Sequence, residues 1–354
     1  MRPSRFLITS LVLPLASFAR PCATLGARPL FVRPSTSSGL PSLSKSPSSN
    51  SPLRVRGGAS LASMASSPTL VTPEWLRDNL ASCKVLDCSW YLLPQMAPRD
   101  AHKEFEAKRI PSSLFFDIDV ISDKSSDLPH MMPSSSDFSS HCQRLGISRS
   151  SHVIVYDGKG QFSSARAWKM FKAFGHDKVS ILDGGFPAWE ALGAPVDTSA
   201  AQVTDGAAAK GDYSCDMVPG TVVSMQQVED MIRAKSHQIL DARPRPRFEG
   251  AAPEPRPGIE SGHIAGTVCV PWGEVLTPAG AFKTEDELRK LMQDNSVDVT
   301  KPCAVTCGSG VSACIVAVAL DVLGNKDVPL FDGAYCEWKT AGKETVKGPA
   351  TSNL

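Results

Sequence analysis

Lys301-Pro-Cys-Ala-Val-Thr-Cys307-Gly-Ser-Gly-Val-Ser-Ala-Cys314-Ile-Val-Ala-Val-Ala-Leu-Asp-Val-Leu-Gly324 reads as a strand, a tight loop, a helix and a glycine stop. Cys307 sits where the strand ends. Gly308 and Gly310 let the backbone curl so that successive N–H groups point inward, and a helix starting near Val311 or Ser312 aims its positive dipole at the same spot. Such a nest stabilises an anion. A thiolate placed there becomes a usable nucleophile, and the loop Gly308-Ser309-Gly310-Val311-Ser312 would cradle the terminal sulfur of a persulfide in the same way. The alternative, that Cys307 is a buried structural thiol and the glycines only form a turn, stays open on this loop alone. Cys303 on the strand and Cys314 in the helix read as core.

Working outward, the chain matches itself. Val85-Leu-Asp87-Cys-Ser-Trp90 corresponds to Ile239-Leu-Asp241-Ala-Arg243, and Ile110-Pro111 to Ile264-Ala265, both offset by 154. Further on the offset settles at 149: Gly175 pairs with Gly324, Val179 with Val328, and Asp183-Gly-Gly-Phe-Pro-Ala-Trp189 with Asp332-Gly-Ala-Tyr-Cys-Glu-Trp338. A period this long means a duplicated domain and not a solenoid. Short β-rich runs such as Val153-Ile-Val-Tyr156 and Ala304-Val-Thr306 alternate with helical patterns. Each half is therefore expected to be α/β, a mainly parallel sheet flanked by helices.

The length of 354 residues with 42% hydrophobic content suits two domains with sizeable cores, and a net charge of +1 gives no support for a nucleic-acid partner. The ten cysteines are dispersed without zinc spacing, so neither a metal nor another cofactor is expected. Residues 1–66 contain no Asp or Glu and eight Lys/Arg, which reads as a targeting peptide. Mitochondrial import is the expected address, a plastid is the alternative, and Met64 offers an internal start for a cytoplasmic form. No apolar stretch of 18 residues occurs, so no membrane span is expected.

Several further segments carry a resemblance. They are Leu86-Asp-Cys-Ser-Trp-Tyr91, Phe115-Phe-Asp-Ile-Asp119, Leu128-Pro-His-Met131, Leu182-Asp-Gly-Gly185, Pro253-Glu-Pro-Arg-Pro-Gly-Ile259, Gly262-His-Ile264 and Cys307-Gly-Ser-Gly-Val311. Over about residues 68–340 the chain resembles the tandem-rhodanese family, within it the 3-mercaptopyruvate and thiosulfate sulfurtransferases. The resemblance implies two rhodanese-like domains, residues 67–196 noncatalytic and 218–345 catalytic, joined by a linker at 197–217 and followed by a tail at 346–354. The slot equivalent to Cys307 in the first domain falls near Asp157-Gly158.

Within that family a Cys-Gly-Ser-Gly loop goes with 3-mercaptopyruvate and a basic loop with thiosulfate. A dianion gains from adjacent cations; a keto acid presents its carboxylate farther from the sulfur. The resemblance carries substrate binding onto Arg247 and Arg256, and a proton relay onto Asp119, His130 and Ser309. It implies passage of the sulfur from Cys307 to a thiol such as thioredoxin or glutathione, or to cyanide, with pyruvate released. Thiosulfate:cyanide transfer as the main activity, and a noncatalytic persulfide carrier or scaffold, are the competing readings. The phosphatases that share the loop shape need an Arg after five intervening residues, where this chain has Ala313. His263 reads as structural, and Asp241 as bonding backbone near the loop. Cys336, Trp272 and Glu249 depart from the family pattern, and Glu249 is expected to weaken anion binding at Arg247.

Overall fold

A computed structural model of the chain describes residues 67–92, 98–200 and 212–350. The segment read as a targeting peptide lies outside these residues.

The apolar runs become strands, and Val153-Ile-Val-Tyr156 and Ala304-Val-Thr306 are buried on both faces. In the first half β1 (Leu70–Val71), β2 (Cys83–Asp87), β3 (Leu114–Phe115), β4 (His152–Tyr156) and β5 (Val179–Leu182) form a sheet in the order β1-β5-β4-β2-β3. In the second, β6 (Val222–Val223), β7 (Gln238–Asp241), β8 (Thr267–Cys269), β9 (Cys303–Thr306) and β10 (Leu330–Phe331) form a sheet in the order β6-β10-β9-β7-β8. The two orders are the same permutation. Every neighbouring pair is parallel, with Leu86 opposite Val155 in one sheet and Leu240 opposite Val305 in the other. The repeat in the sequence is thus a repeat in topology.

Helices cover the faces. The first half carries α1 (Pro73–Asn79), α2 (Ala101–Ala107), α3 (Ser135–Arg144), α4 (Ser164–Ala173) and α5 (Gly185–Ala191). The second carries α6 (Met225–Ala234), α7 (Arg245–Phe248), α8 (Glu285–Asp294), α9 (Ala313–Val322) and α10 (Ala334–Thr340). The outer helices α6 and α8 start at capping boxes, Ser224 with Gln227 and Thr284 with Glu287. In contrast, α4 and α9 are buried almost throughout, because they pack on their own sheets and on each other. Phe138, Phe171, Val316 and Leu320 consequently belong to one apolar core that runs through both halves.

The stretch read as a linker is anchored at both ends. Arg109 donates to the Asp197 carboxylate at 2.8 Å, and Tyr213 is fully buried, edge-on to Phe138.

Candidate active site

Strand β9 is buried along its length and delivers Cys307 to the C-terminal edge of its sheet, where open parallel sheets place their ligands. Cys307 is 2% exposed. Its carbonyl accepts the Tyr335 N–H, and the Gly308 carbonyl accepts that of Cys336, each at 3.0 Å. The start of α10 therefore ties down the first two peptides of the loop. With those carbonyls turned outward, the N–H groups of residues 308–313 donate to no protein acceptor among the described residues. Helix α9 starts at Ala313, with no side-chain bond at its N-cap Ser312. Only one of the two loop glycines uses left-handed freedom: Gly310 has φ +75, and a Cβ there would stand 2.8 Å from the Asp332 carbonyl. Gly308 lies outside that region, and an added Cβ would meet Arg247 Nη2 at 3.2 Å.

The first domain shows what such a loop holds. Asp157 follows β4 as Cys307 follows β9; its carbonyl accepts the Phe186 N–H at 3.0 Å, and Gly160 at φ +115 matches Gly310. The Asp157 carboxylate accepts N–H bonds from Lys159 at 2.9 Å, Phe162 at 2.8 Å, and Ser163 and Ser164 at 3.0 Å. The loop is an anion cradle filled by its own side chain. In the second domain the cradle recurs with a thiol in place of the carboxylate.

A cleft of about 480 Å³ opens over Cys307. Trp90 and Phe162 of the first domain face Trp272, Arg247 and Arg256 of the second across it. Arg256 Nη2 donates to Ser309 Oγ at 3.1 Å and has no acidic partner among the described residues. Arg247 differs. Its guanidinium pairs with Glu254, which also takes Arg243 Nη1 at 2.9 Å. The acid beside Arg247 is therefore Glu254 and not Glu249. Asp241 bonds backbone beside the loop, accepting the Arg243 N–H at 3.0 Å, and it also takes Arg243 Nη2 at 2.6 Å. Burial disfavours the Arg243 charge, but Asp241 and Glu254 outweigh it and raise the pKa. His263 is structural: it stacks on Phe248 at 3.8 Å, with Nδ1 3.0 Å from the Phe248 carbonyl.

Residues 72–192 and 224–341 each match the rhodanese-like domain. The chain is 39% identical over 306 residues to thiosulfate/3-mercaptopyruvate sulfurtransferase 1, mitochondrial, of Arabidopsis thaliana, covering 81% of this chain and 80% of that one. The chain belongs to the tandem-rhodanese sulfurtransferase family. To 3-mercaptopyruvate sulfurtransferase of Rattus norvegicus this sulfurtransferase is 40% identical over 277 residues, 76% of its own length and 91% of the relative's. Among solved structures it resembles SseA from Escherichia coli, described as a 3-mercaptopyruvate sulfotransferase, with TM-score 0.67 and 35% identity over 75% of this chain and 98% of that one.

In this sulfurtransferase Asp119 and His130 stand one side chain behind the cleft. His130 is 6% exposed, and its Nδ1 lies 2.9 Å from Asp119 Oδ1 without hydrogen-bond alignment. Both touch Trp90, which donates to Asp119 Oδ2 at 2.8 Å and meets the His130 ring edge-on at 4.8 Å. Burial lifts the Asp119 pKa, while His130 and Trp90 outweigh that and lower it. The sequence reading missed the interdomain clamp. Arg166, from α4 and 1% exposed, donates to the Gly310 carbonyl at 3.2 Å, to Asp332 Oδ1 at 2.5 Å and to the His130 carbonyl. Asp332 Oδ2 in turn accepts the Met132 N–H at 2.6 Å. The available signal was a pair of cations, Arg166 and Lys169, inside a helix that is buried almost throughout.

Proposed function

We propose that this sulfurtransferase takes sulfur from 3-mercaptopyruvate onto Cys307 and passes it to a thiol, with pyruvate as the other product. The observation that carries this reading is the filled loop of the first domain. The carboxylate oxygens of Asp157 stand two bonds beyond Cβ, as the terminal sulfur of a Cys307 persulfide would. One backbone design thus accommodates a carboxylate in one domain and a persulfide anion in the other.

Arg256, with its charge unshared, and Arg247, braced by Glu254, grip the donor's carboxylate and carbonyl. The Cys307 thiolate attacks the donor sulfur, the carbon–sulfur bond breaks, and its electron pair forms the enolate of pyruvate. The proton of the new persulfide moves to that enolate. The Ser309 hydroxyl, held by Arg256, carries it. Asp119 and His130 act through Trp90, fixing the rim of the cleft. The persulfide anion remains in the amide cradle until thioredoxin, glutathione or cyanide takes its outer sulfur. The acid-free residues 1–66 support mitochondrial import of this activity.

The test is steady-state kinetics with both donors. The expected result is a higher kcat/KM for 3-mercaptopyruvate than for thiosulfate, and loss of both in Cys307→Ser, since a hydroxyl forms no persulfide. Preference for thiosulfate, or substantial turnover without Cys307, overturns the reading.

A further inference from the structure

The cleft holds a second thiol. Cys336, in the first turn of α10, lines it together with Cys307. Two backbone hydrogen bonds between α10 and the loop, from the Tyr335 N–H to the Cys307 carbonyl and from the Cys336 N–H to the Gly308 carbonyl, lace these backbones together. Each bond joins one cysteine to the residue next to the other, and a disulfide tolerates a Cα separation of up to about 7 Å. Neighbouring thiols are placed differently. Cys314 gives its S–H to the Gly310 carbonyl at 3.2 Å and Cys303 to that of Lys301 at 3.5 Å, and neither lines the cleft.

We propose that Cys336 resolves the Cys307 persulfide when no external acceptor arrives, releasing hydrosulfide and leaving a Cys307–Cys336 disulfide. This rests on the persulfide reading above. The Cys336 thiol gives up its proton and attacks the inner sulfur. The persulfide S–S bond breaks, its electron pair leaves with the outer sulfur, and the proton goes to that sulfur, so that HS⁻ departs. The sulfane sulfur is reduced to sulfide and the two cysteine sulfurs are oxidised to the disulfide. A dithiol reductant of the thioredoxin class then returns both thiols. The cradle favours attack at the inner position, because N–H groups that stabilise the persulfide anion also stabilise the departing hydrosulfide.

Arg256 sets the order of events. The charged and titratable groups around Cys336 are Arg256, Arg243, Glu254 and Cys307; burial raises its thiol pKa most strongly, and Arg256 opposes the rise. While the donor carboxylate occupies Arg256, that help is withheld from Cys336. Once pyruvate leaves, the guanidinium can stabilise the Cys336 thiolate. Resolution is therefore slower than transfer to a plentiful external thiol at neutral pH.

The full-length protein, reduced, freed of reductant and kept from air, is given 3-mercaptopyruvate without an acceptor, and pyruvate, sulfide and the nonreducing peptide map are followed. The expected result is a burst of pyruvate, then about one sulfide per chain and a cross-linked Cys307–Cys336 peptide. In Cys336→Val and in Cys336→Ser the extra sulfur should stay on Cys307 and little sulfide appear. A wild-type persulfide as long-lived as that of the variants, with no cross-link, overturns the proposal. So does an extra sulfur found on Cys336, which would mean attack at the outer atom. If wild type gives neither pyruvate nor an added sulfur, the persulfide reading itself fails and this proposal falls with it.

Discussion

Arg247 and Arg256 reach the same cleft in different electrostatic states, one sharing its charge with Glu254 and the other bonded to a hydroxyl. Replacing either by Ala removes a charge-assisted contact of about 1.5–3 kcal/mol, or about ten- to over a hundredfold in kcat/KM for 3-mercaptopyruvate. The loss should be larger for Arg256, whose charge is not shared. Wild-type kinetics in both Ala variants would remove the arginines from the site. Donor choice makes a second residue-scale prediction. Gly308→Arg with Ser309→Lys sets cations beside Cys307, and a net gain of about 1–2 kcal/mol would favour thiosulfate about five- to thirtyfold. Backbone strain does not oppose the change at Gly308, although the new side chain must displace Arg247 Nη2. An unchanged donor ratio in a variant that still loads sulfur normally would sink the electrostatic account. The strand-to-loop position of Cys307 was legible because strand, Cys and Gly lie in one short segment. Glu254's grip on Arg247 was not, because the nearer Glu249 offered itself and only the path of the Pro-rich loop decides between them.

At the scale of elements, the Cys307 loop is held by α10 from its own domain and by α4 from the other. The Arg166–Asp332 pair is buried on both sides; burial disfavours the guanidinium charge, but Asp332 and Cys314 together outweigh it and its pKa rises. Arg166→Met leaves Asp332 buried without its cation and should destabilise the fold by about 3–5 kcal/mol. Adding Asp332→Asn should restore much of that stability. The burst of pyruvate in a single turnover should nevertheless stay slow in the double variant, because the Gly310 carbonyl has lost its guanidinium donor and keeps only the weak Cys314 S–H to turn it away from the cradle. Denaturant midpoints and burst rates check this together. Recovery of both would make Arg166 a structural residue only. Strand β9 and helix α9 could be read from local pattern, with the helix start displaced to Ala313. Arg166 could not, since its partners lie 144 and 166 positions away and no local spacing encodes them.

For the whole molecule the internal repeat was the most legible feature, because duplicated glycines and aspartates mark equivalent turns even where the strands between them have diverged. What the repeat does not reveal is the continuous core, which follows from α4 and α9 packing face to face. Both halves should therefore unfold together, with one denaturant transition whether followed by far-ultraviolet circular dichroism or by tryptophan fluorescence. Two separated transitions would contradict the shared core. The most direct test of the central claim uses the intact chain and its ten cysteines. The protein is loaded with 3-mercaptopyruvate, quenched in acid within the first turnover, and peptide-mapped by mass spectrometry. The account predicts one extra sulfur, carried by the peptide containing Cys307 and absent from Cys307→Ser. An extra sulfur on any other cysteine in that first turnover, or pyruvate released with no sulfur on the protein, would contradict it.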